Sequence, residues 1–336
     1  MKRWLIGIFI LPFIVVKAQP HTTSFSSIDW EVQNIDAPTP DSLARLLISN
    51  YTTETEKVRA IYSWITGHIA YNTAVYKYRS VAFKYVPDPI DTASTWPSGD
   101  EMTARRVMRR KIAVCDGYSR LFKILCDHAG IEAAIIQGYG RVYEMGNKKF
   151  RTNHTWNAVK IDSVWKLLDV TWASGYIDYA DDFIQKQNDF YFLTPPDQFI
   201  RDHYPEELRW TLLSHPPALS DFKKMPFHSK NFIKYGIASY FPSSGIIEAL
   251  VGDTLNFSLQ LNDIKRAKST GADPFADTTS FTLWPLSSFV KPVTEKAAVV
   301  YYTYVVQPSV EWVHLLYNDD VVLQYRLKPK IELTSK

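Results

Sequence analysis

Two apolar runs separated only by Asp162-Ser163 leave the chain between residues 154 and 171 very little conformational choice. His154 to Ile161 and Val164 to Thr171 both read as strands, and so short a connection makes them an antiparallel hairpin. The turn then sets the register. With Ile161 opposite Val164, Trp156 faces Asp169 and His154 faces Thr171. His154 and Asp169 become diagonal neighbours on one sheet face, with Cα atoms ~7–8 Å apart, close enough for a carboxylate to reach an imidazole N–H. A slip of one residue would put them on opposite faces.

The stretch before the hairpin is helical. Tyr118, Leu121, Phe122, Leu125, Cys126 and Ala129 recur at helical spacing, and Gly130 is a natural stop. Cys115 stands at the start of that helix, and Ile131 to Tyr139 reads as a further strand. Upstream, Asp41-Ser42 is the expected cap of a first helix through Leu43 and Leu47. A second helix is expected from Thr55, and a basic one from Thr103 that carries Arg105 to Lys111. Residues 73–101, with Pro87, Pro89 and Pro97, read as a long surface loop. Helices first and strands after give an α+β fold.

A thiol attacks a carbonyl as thiolate, so its pKa must be lowered, and a helix N-terminus favours the negative charge. It also needs a base, and the base an orienter. Cys115 as nucleophile, His154 as base and Asp169 as orienter meet those needs. Trp156, Trp165 and Trp172 are placed either to wall such a site or to pack in the core. The backbone N–H of Cys115 would serve a developing oxyanion, with Trp96 in the preceding loop as candidate second donor. The chain has only two cysteines, Cys115 and Cys126. On one helix they would lie ~16 Å apart along its axis, whereas a disulfide needs Cα atoms within about 7 Å, so both are expected as free thiols. Cys126, on the apolar stripe, reads as core, and no role is assigned to His203 or the remaining histidines. No cluster has metal-ligand spacing and no glycine-rich loop cradles a phosphate, so neither metal nor cofactor is expected.

Cys115-Asp116-Gly117-Tyr118-Ser119, then His154-Thr155-Trp156-Asn157-Ala158-Val159, then Trp165-Lys166-Leu167-Leu168-Asp169-Val170-Thr171-Trp172, resemble the transglutaminase-like superfamily. The likeness is in particular to its branch with kyphoscoliosis peptidase and the fungal cytokinesis proteins. It extends over residues 41–226, including Tyr62-Ser63-Trp64-Ile65 and the stretch from His203-Tyr204-Pro205 to Pro226. The resemblance implies a papain-like core of helices against an antiparallel sheet, and a Cys-His-Asp triad on Cys115, His154 and Asp169. It implies an acyl-thioester formed from a peptide or glutamine-type amide and passed to water or an amine. The alternative is a catalytically silent binding protein of the cell envelope on the same fold.

The N-terminus reads as an export signal: Lys2-Arg3, an apolar run from Trp4 to Val16, and a small-residue cleavage site ending at Ala18. The run is too short for a bilayer, which needs ~20 residues. Removing residues 1–18 removes Lys2, Arg3 and Lys17, and takes the formal charge from +3 to zero. The basic balance therefore gives no argument for nucleic acid as a partner. The expected organisation is a signal peptide (1–18), a lead-in (19–40), a transglutaminase-like domain (41–205), a Pro-rich linker (206–228) and an Ig-like β-sandwich (229–336). A protein or peptide substrate is expected, in the periplasm or outside the cell. The C-terminal β-domain is available for a protein or envelope partner; its Tyr301, Tyr302, Tyr304 and Trp312 fit a recognition strip but read first as strand core.

Overall fold

The computed structural model describes residues 24–74, 98–141, 152–178, 180–262, 287–296 and 298–330. The proposed signal segment, Trp96 and most of the long loop lie outside them.

Helices α1 (Phe25–Val32), α2 (Pro40–Ile48) and α3 (Glu54–His68) open the fold. The cap of α2 is Thr39 rather than Asp41-Ser42. Thr39 accepts from the Ser42 N–H, and Pro40, with no N–H to satisfy, begins the helix. Thr53 and Glu56 form the same reciprocal box at the start of α3. Helix α3 is buried nearly all round, and its Arg59 is only 1% exposed. Such a charge needs partners, and Arg59 finds Asp29 at 2.7 and 2.6 Å and Asp189 at 3.0 Å. The rings of Phe25 and Phe192 lie within 5 Å of its guanidinium, tying α1 and the later loop to α3.

Strand β1 (Ala70–Tyr71) pairs in parallel with β2 (Ile112–Ala113). Between them in sequence lies α4 (Gly99–Arg110), which starts earlier than the expected Thr103 because Ser98 caps it. Directly after β2 comes α5 (Cys115–His128), the helix of the apolar stripe. Gly117 lets it press on the preceding segment: a Cβ there would sit 2.9 Å from Ala113 Cβ. One core joins Tyr118, Leu121, Phe122 and Leu125 to α2, α3 and one face of the following sheet.

That sheet runs β5–β4–β3–β8, with β3 (Ala133–Gly140), β4 (His154–Ile161), β5 (Val164–Leu168) and β8 (His203–Pro205), all antiparallel. The β4–β5 register has Ile161 opposite Val164 and Asn157 opposite Leu168, through a turn with positive φ at Asp162 and Ser163. The second strand is shorter than the expected Val164–Thr171. Asp169 leaves the ladder and caps α6 (Val170–Ser174) with its own side chain. A small hairpin of β6 (Gly175–Ile177) and β7 (Phe183–Gln185) follows.

The 206–228 stretch, expected as a linker, is packed down. Phe222 is fully buried against Tyr139 and Tyr204, with ring centroids 5.9 and 5.1 Å away. It leads into β9 (Phe227–His228), which already pairs with the C-terminal sheet. That region holds two sheets over one core. One is β10 (Ile237–Phe241), β12 (Thr254–Leu261), β15 (Val299–Val305) and β14 (Thr294–Lys296). The other is β11 (Ile246–Ala249), β17 (Asp320–Pro329), β16 (Trp312–Tyr317) and β13 (Ser287–Val290). Phe257, Leu259 and Tyr302 of the first face Leu315, Leu323 and Tyr325 of the second. Ahead of its first strand the region makes a helical turn, Lys230–Lys234, capped by Ser229. Tyr302 and Trp312 are core, while Tyr301 is exposed.

The middle strand β3 bears Gly138 where its neighbours crowd it. A Cβ there would lie 2.4 Å from the Tyr204 carbonyl oxygen and 2.5 Å from the Trp156 ring. Backbone cannot yield as a flexible side chain can, so Gly138→Ala is expected to cost about 1–3 kcal/mol by overpacking. A denaturant midpoint unchanged from the parent protein would contradict this placement.

Candidate active site

Asp169 is fully buried, yet its carboxylate is saturated with donors. Oδ1 accepts the backbone N–H groups of Thr171 at 2.7 Å and Trp172 at 3.1 Å, the first turn of α6. Oδ2 accepts from His154 Nε2 at 2.6 Å and from His203 Nε2 at 2.9 Å. Burial alone would raise its pKa, but His154 foremost and His203 next hold the carboxyl well below the usual carboxylate range.

His154 opens β4 and is nearly buried. With Nε2 on Asp169, the other ring nitrogen is left for the thiol of Cys115, whose pKa the imidazole lowers. Burial opposes charge on the ring, but Asp169 and then Cys115 outweigh it and push His154 up to about 10. For Cys115 the balance is similar. Burial pushes the half-buried thiol up, while the hydrogen bond and charge of His154, with smaller help from Thr155, bring it below its ordinary value. Val114 caps α5 without any side-chain hydrogen bond, so no side chain of its own competes for the N–H dipoles of the first turn beneath Cys115. Cys126 is fully buried on the same helix, its pKa pushed far up by that burial, and no disulfide joins the two.

Helix and strand are held in register by Asn157, whose side-chain amide donates to the Ser119 carbonyl on α5 and to the Ala134 carbonyl on β3, at 3.0 and 3.1 Å. The three residues foreseen from the hairpin and the helix start, Cys115, His154 and Asp169, thus stand in one contiguous chain of contacts. Trp172 stacks on the His154 ring at 5.0 Å, and Trp156 lies 5.9 Å from it and is buried. Both line the imidazole. Trp165 does not join them; it packs edge-on against Trp210. Trp96, the candidate oxyanion donor, falls outside the described residues. The basic helix face is otherwise engaged: Arg105 pairs with Glu101, and Lys111 with Asp36.

His203 was not foreseen. It comes from β8, two strands away from His154, and only its place in the His203-Tyr204-Pro205 stretch marked it. Gly138 and Gly140 explain how the two rings meet. They leave one face at the end of the intervening strand without side chains, and a Cβ on Gly140 would lie 3.0 Å from the His154 ring. The ring centroids stand 5.4 Å apart. The ligand-type atoms of His154, Asp169 and His203 lie within 4.8 Å of one another. Their contacts at 2.6 and 2.9 Å are hydrogen-bond lengths, so this closeness, which no spacing in the sequence announces, is that of a proton network.

A cleft of about 360 Å³ opens beside His154 and is lined, among the described residues, by Tyr71, Gly140, Trp172, Tyr176, Ile177 and Phe183. No helix among the described residues is long and apolar enough to cross a membrane.

Residues 41–170 match the family model of the transglutaminase-like superfamily. Human kyphoscoliosis peptidase is 33% identical over 234 residues, 68% of this chain and 32% of that protein. Drosophila melanogaster hillarin is 29% identical over 246 residues, covering 67% and 28%. Cytokinesis protein 3 of Schizosaccharomyces pombe is 24% identical over 226 residues, covering 65% and 23%. The chain spans a third or less of the length of these relatives. Residues 41–170 are thus a domain of the transglutaminase-like superfamily, and the relatives fit the branch of kyphoscoliosis peptidase and cytokinesis protein 3.

Proposed function

We propose that this chain is an exported thiol enzyme that cleaves a peptide or glutamine-type amide through an acyl-thioester on Cys115. The observation that carries the reading is the buried 2.6 Å hydrogen bond of His154 to Asp169, on an imidazole that also acts on the Cys115 thiol and lowers its pKa. In the ground state it favours a thiolate facing an imidazolium. The thiolate adds to the amide carbonyl carbon, the C–N bond breaks, and the leaving nitrogen takes the proton from His154. Neutral His154 then draws a proton from water, whose oxygen attacks the thioester carbon as the C–S bond breaks. The N–H of Cys115 is the proposed oxyanion donor. Water is taken as acceptor because the reaction then needs only the groups already present; an amine in its place would make the product a cross-link.

The cleft beside His154 bears on the substrate. Tyr71, Trp172, Tyr176 and Phe183 give it four aromatic walls beside the polar Asn153 and Thr171, which suits an apolar side chain next to the reacting amide. Profiling with peptide libraries is expected to give a preference for aromatic or aliphatic residues flanking the scissile bond, and a preference for acidic residues would contradict that assignment.

The thiol itself can be examined without a known substrate. Alkylation of the protein, read by mass spectrometry at each cysteine, is expected to proceed at Cys115 well below the ~8.5 of a free thiol. Reactivity falls as pH drops through the lowered thiol value, and the imidazolium partner is lost only above about 10. His154→Ala is expected to return Cys115 to ordinary thiol behaviour, with Cys126 inert throughout. If Cys115 ignores the loss of His154, the enzyme reading fails.

Export rests on the basic start and apolar run of residues 1–18. N-terminal sequencing after expression in a secreting host is expected to begin at Gln19, and an intact Met1 terminus would overturn it.

A further inference from the structure

His203 is 1% exposed and lies between two carboxylates. Its Nε2 is 2.9 Å from Asp169 Oδ2 and its Nδ1 is 2.6 Å from Asp202 Oδ1. An ionised carboxylate only accepts, so each ring nitrogen must carry a proton to make these bonds. We propose that His203 is a permanent imidazolium that fixes the Asp169 carboxylate against His154, and is thereby a positioning residue for the triad of the preceding section, on which this inference rests.

The surroundings fit a buried cation. Asp202 is itself anchored, accepting from the Tyr191 hydroxyl at 3.1 Å. The Phe199 ring stacks on His203 at 4.1 Å, Trp172 lies at 4.4 Å, and Trp156 and Tyr191 meet it edge-on at 4.9 and 5.8 Å. Aromatic faces and two carboxylates offset the cost of removing the charge from water. Burial alone would favour neutral imidazole; Asp202 first, then Asp169, outweigh it and raise the His203 pKa. The other facing charge is His154, 5.4 Å away, with Asp169 shared between the two rings.

The positive charge does two things for the thiol. It holds Asp169 Oδ2 at a single point, so that His154 presents its remaining nitrogen to Cys115 in one orientation. It also places a cation within the site, which lowers the cost of a negative charge on Cys115. Both effects favour thiolate, so removing His203 moves the acid limb of Cys115 reactivity in one direction, upward.

Nitrogen-15 NMR of the whole protein, labelled at histidine, reads the charge directly. Both His203 ring nitrogens are expected to stay protonated across about pH 5 to 9, a range that brackets ordinary imidazole titration. A nitrogen that loses its proton within that range overturns the proposal. The positioning role is read from the pH dependence of Cys115 alkylation in His203→Phe, which keeps a flat ring but neither donor nor charge, and in His203→Gln, which keeps a donor. The acid limb is expected to rise by about one pH unit in the first and by less in the second. Limbs that coincide with the parent's in both variants, whatever their stability, make His203 merely structural and also overturn the proposal. The NMR arm stands should neither variant fold. If Cys115 of the parent protein shows no low-pH reactivity, the enzyme reading fails while the charge of His203 is still decided by NMR.

Discussion

A carboxylate with no water around it must be surrounded by donors, and the site is organised by how Asp169 meets that demand. Its four donors come from three directions: the first turn of α6, the start of β4 and strand β8. Each bond fixes an element as well as neutralising charge. The helix cap stops β5 at Leu168 and turns the chain away. The two imidazoles take the remaining oxygen and are held in place by it. The same arrangement links stability to pH. The lowered Asp169 pKa contributes stability above the usual carboxyl value that is lost as pH falls through the folded one. The raised His154 and His203 values contribute stability below the usual imidazole value that is lost as pH rises through the folded ones.

This convergence depends on the end of β3, where Gly138 and Gly140 leave one face without side chains. Groups on β4 and β8 are separated by β3, and side chains on that face would keep them apart. Gly138 and Gly140 remove the obstruction, and Trp156 and the His154 ring fill the space they leave. Glycine within a strand is locally unfavourable, and here it is where the backbones and rings of the flanking strands approach most closely. On the other face, Asn157 ties the sheet to α5, so the thiol at the helix start and the imidazole at the strand start are positioned by one side chain.

The part of the site made by local sequence was legible in advance. The Asp162-Ser163 turn fixes the β4–β5 register as far as Asn157 opposite Leu168, which brings Asp169 to the His154 side of the sheet; the helix cap then sets its carboxylate. The apolar stripe placed Cys115 at a helix start. What was not legible is tertiary. His203 joins through a strand pairing 34 residues from Asp169, and no periodicity announces it. Extending β5 to Thr171 failed because an Asp that caps a helix reads, in an apolar run, like one more strand position. The Pro-rich 206–228 stretch looked like a linker because prolines mark turns. Phe222 is buried there, the Tyr204 hydroxyl donates to the Pro217 carbonyl and Leu213, Leu219 and Met225 pack beside it, so the stretch belongs to the domain.

The central claim is that Asp169, through His154, makes Cys115 a thiolate. Ultraviolet thiolate absorbance as a function of pH, in the parent protein and in Asp169→Asn, tests it most directly. Asn retains the acceptor oxygen that caps α6 but removes the charge that holds His154 protonated. A thiolate signal at neutral pH is expected in the parent and is lost in Asp169→Asn while the folded state persists. An identical titration in the two proteins would contradict it.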